Sequence, residues 1–290
     1  MDSLVASHAL ETGAVKDILV EGVLDHKVIT RIKSQCSCSA PPNIVRVDQD
    51  LELPSNFLQQ NGCANDNRGL VVAVVRHIKK KAGSASRILG IIDRDFDDFI
   101  EPRPIHPDGI LRTDFANLEM YFNSREVIEN ICLFGFGVSP MTDAFYNSFL
   151  KVLLRIYCIR LAKKKNSVFV SLELDQYRGF LRIELSRLLF DENRFFPSWL
   201  SGKVQPQVLQ EFPGKVDEVM ASIKSVSDAR YSIHGHDFTA LLSWLCAEMG
   251  GAQIYRNQAA IPGLLASTGF RDDFIERHEL FRSIGAFIRN

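Results

Sequence analysis

The sequence predicts an α/β fold, a parallel β-sheet flanked by helices and followed by a mainly α-helical C-terminal domain. Three observations predict it. Short β-branched runs alternate with amphipathic segments up to about residue 122. The strand-like runs end on acidic residues. Beyond about residue 124, apolar residues recur at helical spacing. That change of character divides the chain into 1–123 and 124–290.

The first strand is DILVEG (17–22), a β-branched run ending in Glu-Gly. LDHKVITRIKSQ (24–35) carries Leu24, Val28, Ile29 and Ile32 on one stripe, which predicts a helix. CSCSAPPN stops it with two prolines. NIVRVD (43–48) reads as the second strand, and LELPSNFLQQNGCANDN as loop. RGLVVAVVRHIKKKAG (68–83) has basic last turns and a closing Gly, both helix C-terminal signals. RILGIIDRD (87–95) is the third strand, ILRTDF (110–115) the fourth, and ANLEMYF (116–122) opens a helix. The β-α-β-α-β order implies parallel strands with right-handed crossovers. Ligands of such sheets bind beyond the carboxyl ends of the strands. Glu21, Asp48, Asp93, Asp95 and Asp114 fall at those ends.

DAFYNSFLKVLLRIYCIRLAKKK, LDQYRGFLRIELSRLLF, KVDEVMASIKSV, FTALLSWLCAEMG and RDDFIERHELFRSIGAF all read as helical, with FPSW, QPQ and FPGK as breaks. Composition is globular, 46% hydrophobic and 24% charged. A net charge of -1 excludes a whole-chain basic bias, so any nucleic-acid binding rests on local patches. Apolar runs such as LVVAVV fall short of the roughly 20 residues a membrane span needs. MDSLVASHALETG has neither the basic start nor the apolar core of a secretory signal. The six cysteines are expected to be reduced thiols of a cytoplasmic protein, since Cys36-x-Cys38 is too tight for a zinc knuckle. No P-loop and no G-x-S-x-G elbow is present.

The chemistry-bearing pattern has three parts: V-E-G-x-x-D (20–25), I-I-D-R-D (91–95) and Glu119 in the segment after the fourth strand. Residues two apart in a strand share a side, so Asp93 and Asp95 are expected to present two carboxylates together. Like charges so placed repel, and a hard divalent cation turns the repulsion into ligation. Asp25 keeps a second reading, as a first-turn acid favoured by the helix dipole.

In order and spacing, this pattern resembles the TOPRIM domain, in the form found in OLD-type nucleases. The match covers roughly residues 15–122, with Glu21 at the first strand end and Asp93 and Asp95 at a later one. Asp25 and Glu119 resemble the additional acids of the OLD-like relatives. The resemblance implies a Mg2+-dependent endonuclease, with Mn2+ able to substitute. Glu21, Asp93 and Asp95 would be catalytic, and Glu21, Asp25, Asp93, Asp95 and Glu119 would be metal ligands; Glu21 as a general base stays open. More loosely, the whole chain is similar to the TOPRIM effectors of PARIS-type anti-phage systems. That implies a toxic effector released by an ABC-type ATPase partner, a homodimer, and RNA (tRNA among the candidates) favoured over DNA. The alternative is a non-catalytic, metal-stabilised subunit of such an ATPase complex.

Two basic clusters, RHIKKK (76–81) and RLAKKK (160–165), suit a phosphate backbone. The second is preferred, giving Arg160, Lys163, Lys164 and Lys165 as nucleic-acid contacts, with His236 of the HGHD segment (234–237). Within that segment His234 is the other imidazole candidate, and Asp237 reads as an N-cap or first-turn acid. No aromatic–basic interleaving marks a base-stacking surface.

Overall fold

A computed structural model describes residues 4, 7, 8, 15–83, 86–137, 142–223, 228–271 and 273–290. The reading of MDSLVASHALETG therefore falls largely outside the described residues. In chain order the main elements are β1 (Lys16–Val20), α1 (Val23–Gln35), β2 (Asn43–Arg46), α2 (Asn67–Ala82), β3 (Arg87–Ile92), β4 (Ile110–Arg112) and α3 (Asp143–Lys165). Then come β5 (Leu181–Glu184), β6 (Arg187–Phe190), α4 (Glu192–Leu200), α5 (Pro206–Ile223), α6 (Gly235–Glu248), α7 (Ile261–Gly269) and α8 (Glu279–Arg289), with shorter helical turns between. No helix among the described residues is long and apolar enough to cross a membrane.

The chain forms two compact units. A sheet unit takes residues 1–94, 102–114 and 270–290; a helical unit takes 95–101 and 115–269. In the sheet unit the four strands are all parallel, in the order β2-β1-β3-β4. Ile18 pairs with Ile44 on one side and Leu89 on the other, so β1 is central and completely buried. Such a strand reads as a continuous apolar run rather than an alternating one, as in Ile18-Leu19-Val20. Helix α2 starts at Asp66, whose carboxylate accepts the Gly69 N–H at 2.6 Å, and its valines pack on the sheet. Gly90 makes that packing close: a Cβ there would sit 2.7 Å from Val71 Cγ1 and 2.9 Å from Val75 Cγ2. Because the chain places β2 on one side of β1 and β3 on the other, the sheet order reverses between the ends of β1 and β3.

These units differ from the linear division at residue 123. Amphipathic α8 buries Leu280, Phe281, Ile284 and Ile288 within the sheet unit. The Lys16 ammonium donates to the Ile288 carbonyl at 3.1 Å, and the Asp114 carboxylate accepts the Leu280 N–H at 3.2 Å. Periodicity reveals such a face but not what covers it. Residues 115–123 belong instead to the helical unit, where Leu118, Met120 and Phe122 are buried.

Three sequence expectations need correction in the helical unit. ANLEMYF opens no α-helix; it holds a 3-10 turn at Leu118–Phe122. LRIELSRLLF is an antiparallel hairpin, β5–β6, not a helix. Its turn residues Leu185 and Ser186 have φ of 47° and 57°, a conformation normally announced by Asn-Gly, so the usual signal was missing. Tertiary contacts hold it: Leu188 is buried and its N–H donates to Ser148 Oγ at 2.8 Å. FPSW and FPGK are not breaks, because Pro197 and Pro213 lie inside α4 and α5. The proline of QPQ, Pro206, does mark a boundary; at a first helical position its missing N–H costs nothing.

Candidate functional site

In the sheet unit the acids are placed by strand ends and helix starts. Glu21 follows β1 directly, and Asp93 follows β3. These strands are neighbours, and Glu21 Oε1 accepts the Asp93 N–H at 2.9 Å. Asn67 Nδ2 donates to the Glu21 carbonyl at 3.1 Å, tying that turn to the first residue of α2. Asp25 is the third residue of α1, and its Oδ2 accepts the Gly22 N–H at 3.0 Å. The first-turn reading of Asp25 is therefore the one the geometry displays. Two other strand-end acids are engaged elsewhere: Asp48 takes the nearby Arg46 guanidinium at 3.1 and 2.6 Å, and Asp114 holds the start of the distant α8.

Asp95 departs from expectation. Strand β3 ends at Ile92, and Asp95 has φ +46°, so strand alternation does not govern how Asp93 and Asp95 point. Asp is among the few non-Gly residues that tolerate this region. Asp95 belongs to the helical unit, where its N–H donates to the Ala116 carbonyl at 2.6 Å and its carbonyl accepts the Tyr157 hydroxyl at 2.9 Å. The same unit holds Glu119. Burial raises the Glu119 pKa to about 7, and the Asp95 charge adds to the rise. Gly235 of HGHD packs against this carboxyl; a Cβ there would collide with the Glu119 carboxylate and lie 2.9 Å from Asn117 Oδ1. Asn117 Nδ2 donates to the Ile233 carbonyl at 2.7 Å, while its buried Oδ1 has no hydrogen-bond partner.

The donors are all oxygens, which suits Mg2+ or Mn2+. The grouping is sparser than the sequence suggested: among the described residues, no set of three or more Asp, Glu, His or Cys side chains is placed to hold a metal ion. Glu21 is brought to Asp93, and Asp95 acts on Glu119. Mg2+ is commonly held by one or two carboxylates, with water and substrate phosphate completing its shell.

The basic residues sort differently from their sequence cluster. Arg160 is committed to the buried Asp237, donating at 2.5 and 2.8 Å, and Tyr177 donates to the same carboxylate at 3.2 Å. This corrects Arg160 as a free phosphate contact; Asp237 is a first-turn acid of α6, the second of its two readings, while His234 takes the N-cap position. Lys163 is half-buried, and burial lowers its pKa, with Arg160 adding to the fall; Lys164 and Lys165 are exposed at the end of α3. His236 is exposed on α6. His234, at the N-cap position of α6, has a buried Nδ1 without a hydrogen-bond partner, and burial holds its pKa below the usual value.

A cavity of about 350 Å3 lies beside these residues in the helical unit, lined by Arg160, Lys163, Lys164, Phe96, Phe169 and His234 among others. Phe96 reaches the basic cluster only through the fold, whereas Phe169 follows Lys165 closely in sequence and is set at the cavity by the backbone turn after α3. By contrast, the first cluster is locally engaged: Arg76 donates to the Asn61 carbonyl at 2.7 Å and Lys79 pairs with Asp108 at 2.9 Å. All six cysteines are free thiols, as expected. No protein-family model matches the chain, and no curated protein gives a significant match.

Proposed function

We propose that the chain is a Mg2+-dependent nuclease, with Mn2+ able to replace Mg2+, acting on RNA in preference to DNA. One observation carries this reading. Glu21 and Asp93 stand at the carboxyl ends of adjacent β1 and β3, where the sheet order reverses and where parallel α/β folds bind ligands. Their order and spacing in the sequence resemble the TOPRIM pattern.

In this reading Glu21 and Asp93 hold the ion, with Asp25 as a further carboxylate of the sheet unit; ligand roles for Asp95 and Glu119 rest on the resemblance alone. When bound, Mg2+ supplies Lewis-acid stabilisation of the phosphate and an activated water. The hydrogen bond from the Asp93 N–H orients the Glu21 carboxylate. Burial raises the Glu119 carboxyl to a pKa of about 7 in the helical unit. Lys163, Lys164 and Lys165 supply positive charge for a phosphate backbone. A defence role, a homodimer and an ABC-type ATPase partner belong to the same proposal and rest on the resemblance alone.

The test is cleavage of end-labelled RNA and DNA by the wild type and Glu21→Ala, with folding of both checked by circular dichroism. Cleavage in Mg2+ or Mn2+ is expected, with loss in EDTA and in folded Glu21→Ala. Full activity in EDTA, or equal cleavage by the variant, overturns the reading. A folded wild type that cleaves neither polymer leaves the non-catalytic subunit as the better account.

A further inference from the structure

We propose that the cavity lined by Phe96, Lys163, Lys164, Phe169 and His234 takes one unpaired nucleotide of a single-stranded nucleic acid, its base against Phe169 and its phosphate at the two lysines. The inference shares with the nuclease reading its class of polymer, but not its chemistry.

Phe169 is the first argument. It is 95% exposed, an unusual position for a large apolar ring. Yet its neighbours Val168 and Val170 are buried, so the chain anchors on either side and holds the ring outward. The Val168 N–H donates to the Lys163 carbonyl at 2.9 Å, and Trp199 Nε1 donates to the Ser171 carbonyl at 2.7 Å. A ring held outward by a fixed backbone is pre-organised for stacking, so little freedom is lost when it binds.

Charge is the second. Among the described residues no carboxylate pairs with Lys163 or Lys164, whereas Asp237 neutralises Arg160. Glu173 and Asp237 act on Lys163 only as secondary influences behind burial and Arg160. The Lys164 ammonium lies 5.5 Å from the Phe96 ring centroid, and the His234 ring stacks on Phe96 at 6.2 Å. Phe96 is itself fixed by Tyr157, 4.9 Å away. The wall therefore combines two cations, two aromatic rings and an imidazole.

The third is unsatisfied hydrogen-bonding capacity. His234 Nδ1 is buried without a hydrogen bond, with Asp237 Oδ2 3.7 Å away, and such groups ordinarily find one. A base edge, a sugar hydroxyl or a phosphate oxygen would supply it. The volume is in the range of small-ligand pockets, roughly 300–1,000 Å3. An acidic peptide would use the lysines but would leave Phe169 idle. Duplex nucleic acid would offer phosphates but no free base face.

Binding is measured in EDTA, so that no cleavage is needed. The probes are fluorescent ten-nucleotide oligouridylate and oligothymidylate, a duplex of equal length and an abasic phosphodiester oligomer. The single strands are expected to bind best. Phe169→Ala, which leaves the buried core untouched, should weaken them between about five- and a hundredfold with no change in salt slope, and Phe169→Trp should restore binding. The abasic oligomer should bind both proteins alike. Lys163→Gln with Lys164→Gln should weaken every probe and flatten the logarithmic salt slope by about 1.4. Equal binding of single strands by wild type and Phe169→Ala overturns the proposal, as does an unchanged salt slope in the lysine variant. If Phe169→Ala loses binding while the wild type never cleaves, the pocket stands and the nuclease reading falls. If cleavage is intact and Phe169→Ala binds like wild type, the pocket falls and the nuclease reading stands.

Discussion

In the sheet unit, Glu21 and Asp25 accept backbone N–H groups at 2.9 and 3.0 Å, and Asp114 does the same at 3.2 Å. In the helical unit, Asp237 is buried against Arg160 and Tyr177, and Glu119 is buried close to the charge of Asp95. The same residue types thus meet two electrostatic regimes. Backbone donors stabilise a carboxylate without a counter-charge and fix its direction. Burial beside another acid favours the protonated form and leaves the group poised to take a cation or lose a proton. The difference separates acids that organise the fold from acids that store electrostatic stress, and it is open to measurement.

The largest effect should come from Arg160 and Asp237. Removing one partner leaves the other charge buried, so Arg160→Met should cost about 3–5 kcal/mol in urea unfolding. Arg160→Met combined with Asp237→Leu should recover most of that loss. If the single change costs under about 1 kcal/mol, the pair is no better than a surface bridge, and Arg160 returns as a candidate phosphate contact.

Glu119 comes next. Its folded pKa of about 7 lies above its ordinary 4.5, so the folded protein binds more protons than the unfolded chain between those values. In EDTA, wild-type stability should therefore fall as pH rises from about 4.5 through 7. Glu119→Gln removes that dependence: the variant should match the wild type near pH 4.5 and exceed it at pH 8, by at most about 3 kcal/mol. Parallel denaturation curves at both pH values would show that Glu119 titrates normally. Should Glu119 ligate Mg2+, adding the ion at pH 8 would stabilise the wild type and leave the glutamine variant unmoved.

The smallest pair has opposite signs. Asp25→Ala removes the acceptor of the Gly22 N–H and should cost roughly 1 kcal/mol. Asp95→Asn removes a charge near Glu119, and Asn tolerates the left-handed backbone. Without metal it should leave stability unchanged or raise it by about 1 kcal/mol, while abolishing Mg2+-dependent cleavage if Asp95 is a ligand. Thermal melts with and without Mg2+ test both. An Asp95→Asn protein that melts several degrees lower without metal and still cleaves would remove Asp95 from the site.

Much of the sheet unit was legible because its elements carry local signals. Val28, Ile29 and Ile32 mark the buried stripe of α1, and the runs ILV and ILGII mark strands buried on both faces. The strand-end acids were legible for the same reason: a change from apolar to acidic marks where a parallel strand leaves the core. The β5–β6 hairpin was not, because Leu and Arg are good helix formers and its turn lacks Asn or Gly. Phe96 was not legible because it lies far from the basic cluster in sequence, and Phe169, just beyond Lys165, because no local pattern shows that its ring stays exposed while Val168 and Val170 are buried.

Sequence alone was enough for the buried runs of the sheet unit and for Glu21 and Asp93 just past β1 and β3, because burial and turn chemistry act over a few residues. Tertiary structure was needed to pair Asp237 with Arg160, which takes it out of the basic cluster, and to return α8 to the sheet unit. Each of those outcomes depends on a partner far along the chain. A side chain's charge is written in its type, but its partner and its desolvation are set by what the fold brings within a few ångströms.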